Sequence, residues 1–294
     1  MNKVLRILFV AVLVISLPPH LWGAEIGASV SSSTFGFTKD GSLDPDDPLF
    51  GFSFFVRDSL TDFLDGTISF ERDPVTGNLV SARASYKTTF LSISAGPSFG
   101  VLNTPDGDDG VTNLIQPGLA LGFSVIIPGI FVARADSDFA LPQMTGHNGQ
   151  MFIQRGLLSL GFFLPNVLCS LNIHQRSTVE YLSNGLSATR SITDWGLYTE
   201  SFMKGSPFRV SVDFIYRVLE YYEGTDSPEN REFASLVLGG GLTWVPKADM
   251  SFFILGSGSL YTFLLEEAED DLDRFLFEIK IGTRIMTGNQ AGHR

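Results

Sequence analysis

Hydrophobic and polar residues alternate with a period of two along much of the chain. From Asp273 to Ile285, one face reads Phe275, Phe277, Ile279, Ile281, Thr283 and Ile285. The other reads Arg274, Leu276, Glu278, Lys280, Gly282 and Arg284. Side chains of a strand point to opposite sides in turn, so this pattern predicts a strand with one apolar face. Between Arg209 and Tyr221 the pattern recurs. Val210, Val212, Phe214, Tyr216 and Val218 share one side, and Arg209, Ser211, Asp213, Ile215 and Arg217 the other. A helix would scatter those five apolar residues around its circumference; a strand collects them. Cys169 to Tyr181 repeats the alternation, with Ser170, Asn172, His174, Arg176, Thr178 and Glu180 on the polar face.

Two uncharged stretches, Val111–Ala133 and Gly156–Ile173, are long enough for membrane helices. Pro128-Gly129 and Pro165-Asn166 interrupt them, and both are turn dipeptides. Each stretch therefore reads as two strands joined by a tight turn. Further short turns fall at 204–207 and 246–249. Longer, acidic connections fall at 38–48, 103–110, 140–149, 223–230 and 266–272. The predicted strands are 25–37, 49–57, 65–73, 79–88, 90–102, 111–127, 130–138, 150–163, 167–182, 188–203, 207–222, 231–245, 250–265 and 273–286. The break near Thr88-Thr89 is the least marked, and losing it with one other early element would reduce the count to about twelve. Ten residues at 3.3 Å, tilted near 45°, span roughly the 25 Å apolar band of a transmembrane barrel. The expected fold class is all-β, an antiparallel up-and-down transmembrane barrel of about 12–14 strands.

The N-terminus carries a different signal. Lys3 and Arg6 precede an apolar run from Ile7 to Ile15, Pro18-Pro19 follow, and Gly23-Ala24 offers small residues. That order predicts a secretory signal peptide over 1–24, with the barrel domain over 25–294. Charged residues make up 18% of the chain, and Gly (30) and Phe (26) are abundant. The net charge is −12, and loss of Lys3 and Arg6 with the leader takes it to −14. Such a surface excludes nucleic acid as a partner, because phosphate binding needs clustered Lys and Arg. The single cysteine, Cys169, excludes an internal disulfide framework and reads as an inert strand residue.

Leader, long alternating strands, unequal connections and a terminal strand resemble the porin-like bacterial outer-membrane β-barrels. Lys280, Gly282, Ile279, Ile281 and Ile285 loosely match the assembly signal of such final strands. The strand departs from the pattern by ending Arg284-Ile285-Met286 and continuing to Arg294. The resemblance implies outer-membrane localisation, with the lipid bilayer and small solutes as partners. Arg or Lys on the lipid face costs about 2–4 kcal/mol at midplane, so the charged faces are expected to turn inward. The expected pore-lining residues are His174, Arg176, Glu180, Arg190, Asp194, Glu200, Arg209, Asp213, Arg217, Glu278, Lys280 and Arg284. Opposite signs on successive strands suggest pairs across the lumen. A wet lumen would pass small hydrophilic solutes; a filled one would make the barrel a scaffold.

Acidic clusters mark the long connections: Asp44, Asp46, Asp47; Asp106, Asp108, Asp109; Glu266, Glu267, Glu269, Asp270, Asp271 and Asp273. A negative mouth raises local cation concentration and predicts a cation preference. Asp106-Gly-Asp-Asp109 lacks full calcium-loop spacing, so no metal site is expected. Enzymatic chemistry is thinly represented. His20 lies in the leader, His147 in a loop, His293 in the tail and His174 on a polar strand face, and Gly256-Ser-Gly-Ser259 lacks a nucleophile-elbow context. No phosphate loop or dinucleotide fingerprint occurs, so neither an enzyme nor a bound cofactor is expected. The expected function is a channel or transporter for small solutes. The alternatives are a barrel whose loops bind a host or partner surface, and a transporter of hydrophobic substrates.

Overall fold

The alternation becomes fourteen antiparallel strands that close on themselves. The computed structural model describes residues 24–36, 48–73, 77–106, 110–140, 151–181, 187–223, 231–264 and 275–287, with no helix among them. The strands are β1 (Glu25–Ser33), β2 (Leu49–Thr61), β3 (Leu64–Asp73), β4 (Gly77–Lys87), β5 (Leu91–Asp106), β6 (Gly110–Ile127) and β7 (Phe131–Ala140). They continue as β8 (Met151–Leu164), β9 (Val167–Tyr181), β10 (Ser187–Phe202), β11 (Phe208–Glu223), β12 (Arg231–Lys247), β13 (Met250–Leu264) and β14 (Phe277–Met286). Each pairs with its sequence neighbours, and β1 closes the ring against β14 in the register Glu25↔Met286 to Ser33↔Glu278. Closure leaves no strand edge, so every backbone donor and acceptor in the ladder can be satisfied without water, as hydrocarbon requires.

One end of the barrel is made of short turns. They join β2–β3, β4–β5, β6–β7, β8–β9, β10–β11 and β12–β13. The other end carries the remaining connections; we call the two the turn end and the loop end. The uncharged stretches fold as anticipated: β6 and β7 flank Pro128-Gly129, and β8 and β9 flank Pro165-Asn166. In the first turn Ile130 N–H donates to the Ile127 carbonyl (3.0 Å) and Gly129 sits at φ +74°. An L residue in that left-handed region is strained. Gly129→Ala is therefore expected to cost about 1 kcal/mol, read from urea unfolding of the detergent-folded barrel.

The break at Thr88-Thr89 is real: Thr88 N–H donates to Leu91 O (2.7 Å), and the Thr88 hydroxyl accepts from Leu91 N–H (3.1 Å). Further along β5, Pro97 removes a ladder donor, and Gly96 presses on β4. A Cβ at Gly96 would lie 1.8 Å from the Ala82 carbonyl oxygen, so no other residue fits there without moving backbone.

β2 runs to Thr61 rather than 57 and β5 to Asp106 rather than 102, into the expected 103–110 connection, and two further ends are shorter than expected. β1 stops at Ser33 rather than 37, because side chains take over the backbone partners. Thr34 N–H donates to Phe277 O (2.9 Å), the Thr34 hydroxyl accepts from Phe277 N–H (2.8 Å), and the Ser33 hydroxyl accepts from Phe35 N–H (3.0 Å). This bend carries Phe35 into the barrel, where it is 1% exposed. β14 starts at Phe277 rather than 273, with Leu276 tied to Ser259 through backbone and hydroxyl (2.8 and 2.9 Å).

The outward face is apolar. Ile68, Ile93, Leu119, Leu121, Phe123, Leu158, Leu160, Leu171, Leu197, Val210, Val212, Phe214, Ile279 and Ile281 are all exposed there. Aromatic pairs gather on this face near the turn end: Phe63–Tyr86 (5.9 Å), Phe131–Phe162 (5.7 Å) and Trp244–Phe252 (5.6 Å). Apolar band and aromatic edge are what a bilayer and its interface select.

Candidate site in the barrel lumen

Most charged residues occupy the opposite parity; Asp58, Arg72, Glu220 and Glu232, toward the strand ends, hold outward positions. Asp194 faces His174 on β9 and Arg217 on β11 in the ladder, and Arg217 faces Ser235. Arg217 is only 4% exposed along its side chain and grips both oxygens of Asp194 (2.6 and 2.8 Å). Its remaining arm reaches Glu278 on β14 (3.4 Å). Bidentate geometry of this kind offsets the desolvation of two buried charges.

Two further pairs cross the lumen. Arg176 on β9 meets Asp73 on β3 (3.0 Å), and Arg155 on β8 meets Glu71 on β3 (2.8 Å). β3 and β9 are six places apart around the ring of fourteen. A circular barrel of that size would be about 28 Å across between backbones. An arginine and a carboxylate laid end to end cover only about half of that. The wall is therefore pinched inward at this level, with β3 drawn toward β8 and β9.

Beside the pinch lies a polar cavity of about 140 Å³. Ser29, Ser31 and Ser53 line the β1–β2 side, and Arg176, His174, Asp194, Arg217, Glu278 and Lys280 much of the remainder. Against its loop-end boundary sits an apolar cluster on the inward face: Phe35, Ile192, Leu219, Tyr221, Phe233, Val237 and Leu276. These side chains touch one another rather than water, so an inward position here means a packed core. Arg217 joins the two regions, its guanidinium lying 4.3 Å from the Phe35 ring centre.

Toward the turn end the lumen widens. Arg134, Arg209 and Arg284 have side chains 58%, 52% and 56% exposed. Arg284 pairs with Glu25 (3.0 Å) and lies over Phe55, and Arg209 stands 3.8 Å from Glu200. Arg83 bridges from β4 to Asp136 (3.1 Å) and Asp138 on β7. Asp65 receives Arg57 (2.6 Å) and Lys87. An apolar pocket of about 530 Å³ lies at the turn-end rim, between Ile126, Phe163, Phe202 and the neighbouring turns.

The expected pore residues thus fall on one face. His174, Arg176, Arg190, Asp194, Glu200, Arg209, Asp213, Arg217, Glu278, Lys280 and Arg284 all hold inward register positions. Arg190 lies over the Tyr221 ring (5.7 Å). Glu180 holds a position of the same parity at the end of β9. Asp106 ends β5. The other expected mouth residues, Asp44, Asp46, Asp47, Asp108, Asp109, Glu266, Glu267, Glu269, Asp270, Asp271 and Asp273, lie outside the described residues, as do residues 1–23. Sequence reasoning missed Glu71, Asp73, Arg83, Asp136, Asp138 and Arg155. Their parity was visible, since Asp65, Thr67, Ser69, Glu71 and Asp73 alternate with Leu64, Ile68 and Phe70. It also missed Phe35, although within the expected strand 25–37 it shares the parity of Ser29, Ser31 and Ser33. Among the described residues no group of three or more His, Cys, Asp or Glu could hold a metal ion.

No protein-family model matches the chain, and no curated protein matches it. Among solved structures it is similar to an outer-membrane channel from Pseudomonas putida F1, at 10% identity and TM-score 0.48, covering 92% of this chain and 97% of that one. A bacterial polysaccharide outer-membrane secretin matches at 10% identity and TM-score 0.49, over 90% and 98% of the two chains. The CymD monoaromatic hydrocarbon channel matches at 9% and 0.41, over 91% and 89%. These are likenesses of general form; the barrel itself is read from the chain's own closed ladder, apolar outside and charged inside.

Proposed function

For this porin-like outer-membrane β-barrel, we propose a role as a channel for small hydrophilic solutes, inserted after export on a cleaved leader of residues 1–24. The carrying observation is the contrast between the two faces. Outside, the described strands present a band of hydrocarbon-compatible side chains. Inside, ionised residues surround a widening vestibule and a polar cavity. Buried and half-buried charges of both signs are costly to maintain in an enclosed scaffold, where apolar packing serves as well. They are useful where water and solutes must be accommodated.

The path runs from the turn-end vestibule to the cavity beside Ser29, Ser31 and Ser53, and past Phe35 to the loop end. Its described walls are close to charge-balanced, since nearly every cation there meets a carboxylate. The acid excess of the chain resides largely in the long connections, so the proposed cation preference comes from the mouth. The apolar side chains of the cluster pack on one another, which favours a polar passage over a hydrophobic-substrate route.

The test is current through the mature chain refolded in detergent and placed in a planar bilayer. Stepwise conductance is expected, with a reversal potential in a KCl gradient displaced toward the potassium value and weakening as salt rises. A folded barrel without conductance, or one selective for chloride, contradicts the reading in its first or second part respectively.

A further inference from the structure

We infer that Phe35 is the size-determining residue of this passage. The inference rests on the channel reading above and adds to it a single controlling side chain.

Phe35 is the one residue shared by the polar cavity and the apolar cluster. It therefore stands where the wet part of the lumen ends. The other cavity residues lie on strands, held in place by ladders on both sides. Phe35 instead follows β1, and its own N–H is bound only by the Ser33 hydroxyl (3.0 Å). Thr34, just before it, is anchored to Phe277 by three hydrogen bonds. The ring is thus hung from a fixed point. It can be displaced without breaking the barrel.

What holds the ring inward is also clear. One face meets the Arg217 guanidinium at 4.3 Å, and the rest of the ring packs within the cluster. Arg217 cannot follow a departing ring, because Asp194 and Glu278 fix it. The cation–π contact is worth about 0.5–2 kcal/mol depending on desolvation. Swinging out also uncovers a ring that is 1% exposed, but it leaves the paired strands of the wall intact. Removing the ring extends the cavity toward the loop end and leaves Arg217, the serine hydroxyls and Lys280 as its rim. The solutes admitted by the wild-type protein are those small enough to pass a phenyl ring lying on a guanidinium, such as hydrated alkali ions and two- or three-carbon polar solutes.

The experiment compares wild type, Phe35→Ala and Ile192→Ala in planar bilayers and in swelling assays of liposomes loaded with sugars. Ile192 belongs to the same apolar cluster but does not line the cavity, so its truncation removes packing without widening the path. Heat-modifiable gel mobility confirms that each variant is folded. Phe35→Ala is expected to raise single-channel conductance at least threefold and to admit a disaccharide, while Ile192→Ala keeps the wild-type conductance. A folded but silent wild type contradicts the channel reading, and the inference falls with it even if Phe35→Ala conducts. A conducting wild type matched by an equally conducting Phe35→Ala overturns it and leaves the channel reading intact. An equal rise in Ile192→Ala overturns it too, by tracing the effect to loosened packing. If all three fold and none conducts, the channel reading itself fails and the inference falls with it.

Discussion

Asp194→Asn is expected to destabilise the folded barrel by about 3–5 kcal/mol, the range found when one partner of a buried ion pair is removed. Arg217 is 4% exposed and Asp194 11% along their side chains, so neither reaches bulk water. The amide removes the full charge that compensates the guanidinium and offers one acceptor where two were used. Glu278, at 3.4 Å, replaces only part of the loss. The double change Asp194→Asn with Arg217→Met removes the orphaned cation, and should recover most of the stability. It would also leave Phe35 without its charged neighbour. Urea titration in detergent, followed by tryptophan fluorescence, gives both values. Equal losses in the single and double variants would show that Arg217 is not the buried charge that Asp194 serves.

The second large effect separates the two faces of one strand. Leu158 and Leu157 are adjacent on β8, yet Leu158 is 43% exposed on the apolar outside and Leu157 pairs in register with Asp136 and His174 on the inside. Leu158→Arg puts a guanidinium into hydrocarbon, at about 2–4 kcal/mol near the midplane. Leu157→Arg puts the same group on the lumen side, near Asp136, whose two oxygens already hold Arg83 and Arg134. Its expected cost is smaller than that of Leu158→Arg, because the lumen offers polar surroundings in place of hydrocarbon. Refolding into liposomes of dimyristoyl phosphatidylcholine, with urea titration, measures both. A reversed order would mean that the faces have been assigned the wrong way round.

These expectations show which physical signals a linear sequence transmits. The strands were legible because a lipid-facing sheet must alternate strictly: one face meets hydrocarbon, and a one-residue slip reverses every side chain. Turns were legible where Pro, Gly or Asn supplied the backbone geometry, as at Gly129, Asn166 and Gly205. Inward parity followed from the same alternation, so the residues from His174 to Arg284 could be placed on one face before any pairing was known. What alternation does not encode is reach across the lumen. Asp73 and Arg176 are distant in sequence and on opposite walls, and only closure of the ring brings their side chains together. The expected pairs across the lumen do occur, as Arg176 with Asp73 and Arg155 with Glu71, but on carboxylates outside the expected set, while Asp194 with Arg217 joins neighbouring strands. The apolar inward cluster was illegible for a related reason. Ile192, Leu219 and Val237 occupy polar-face parity, and they become a core only because Phe35 and Leu276 arrive from beyond strand ends to cover them.

The central claim is that alternate residues meet hydrocarbon and a watery interior in a closed sheet. Spin labels at single cysteines from 209 to 217 on β11, in a Cys169→Ser background and in liposomes, test it directly. Oxygen and a water-soluble nickel chelate are the two relaxants. The account predicts a period of two residues: oxygen dominates at 210, 212, 214 and 216, and nickel gains at the odd positions, most at 209 and 213 and least at buried 217. A period near 3.6, or nickel access equal at odd and even positions, would contradict it.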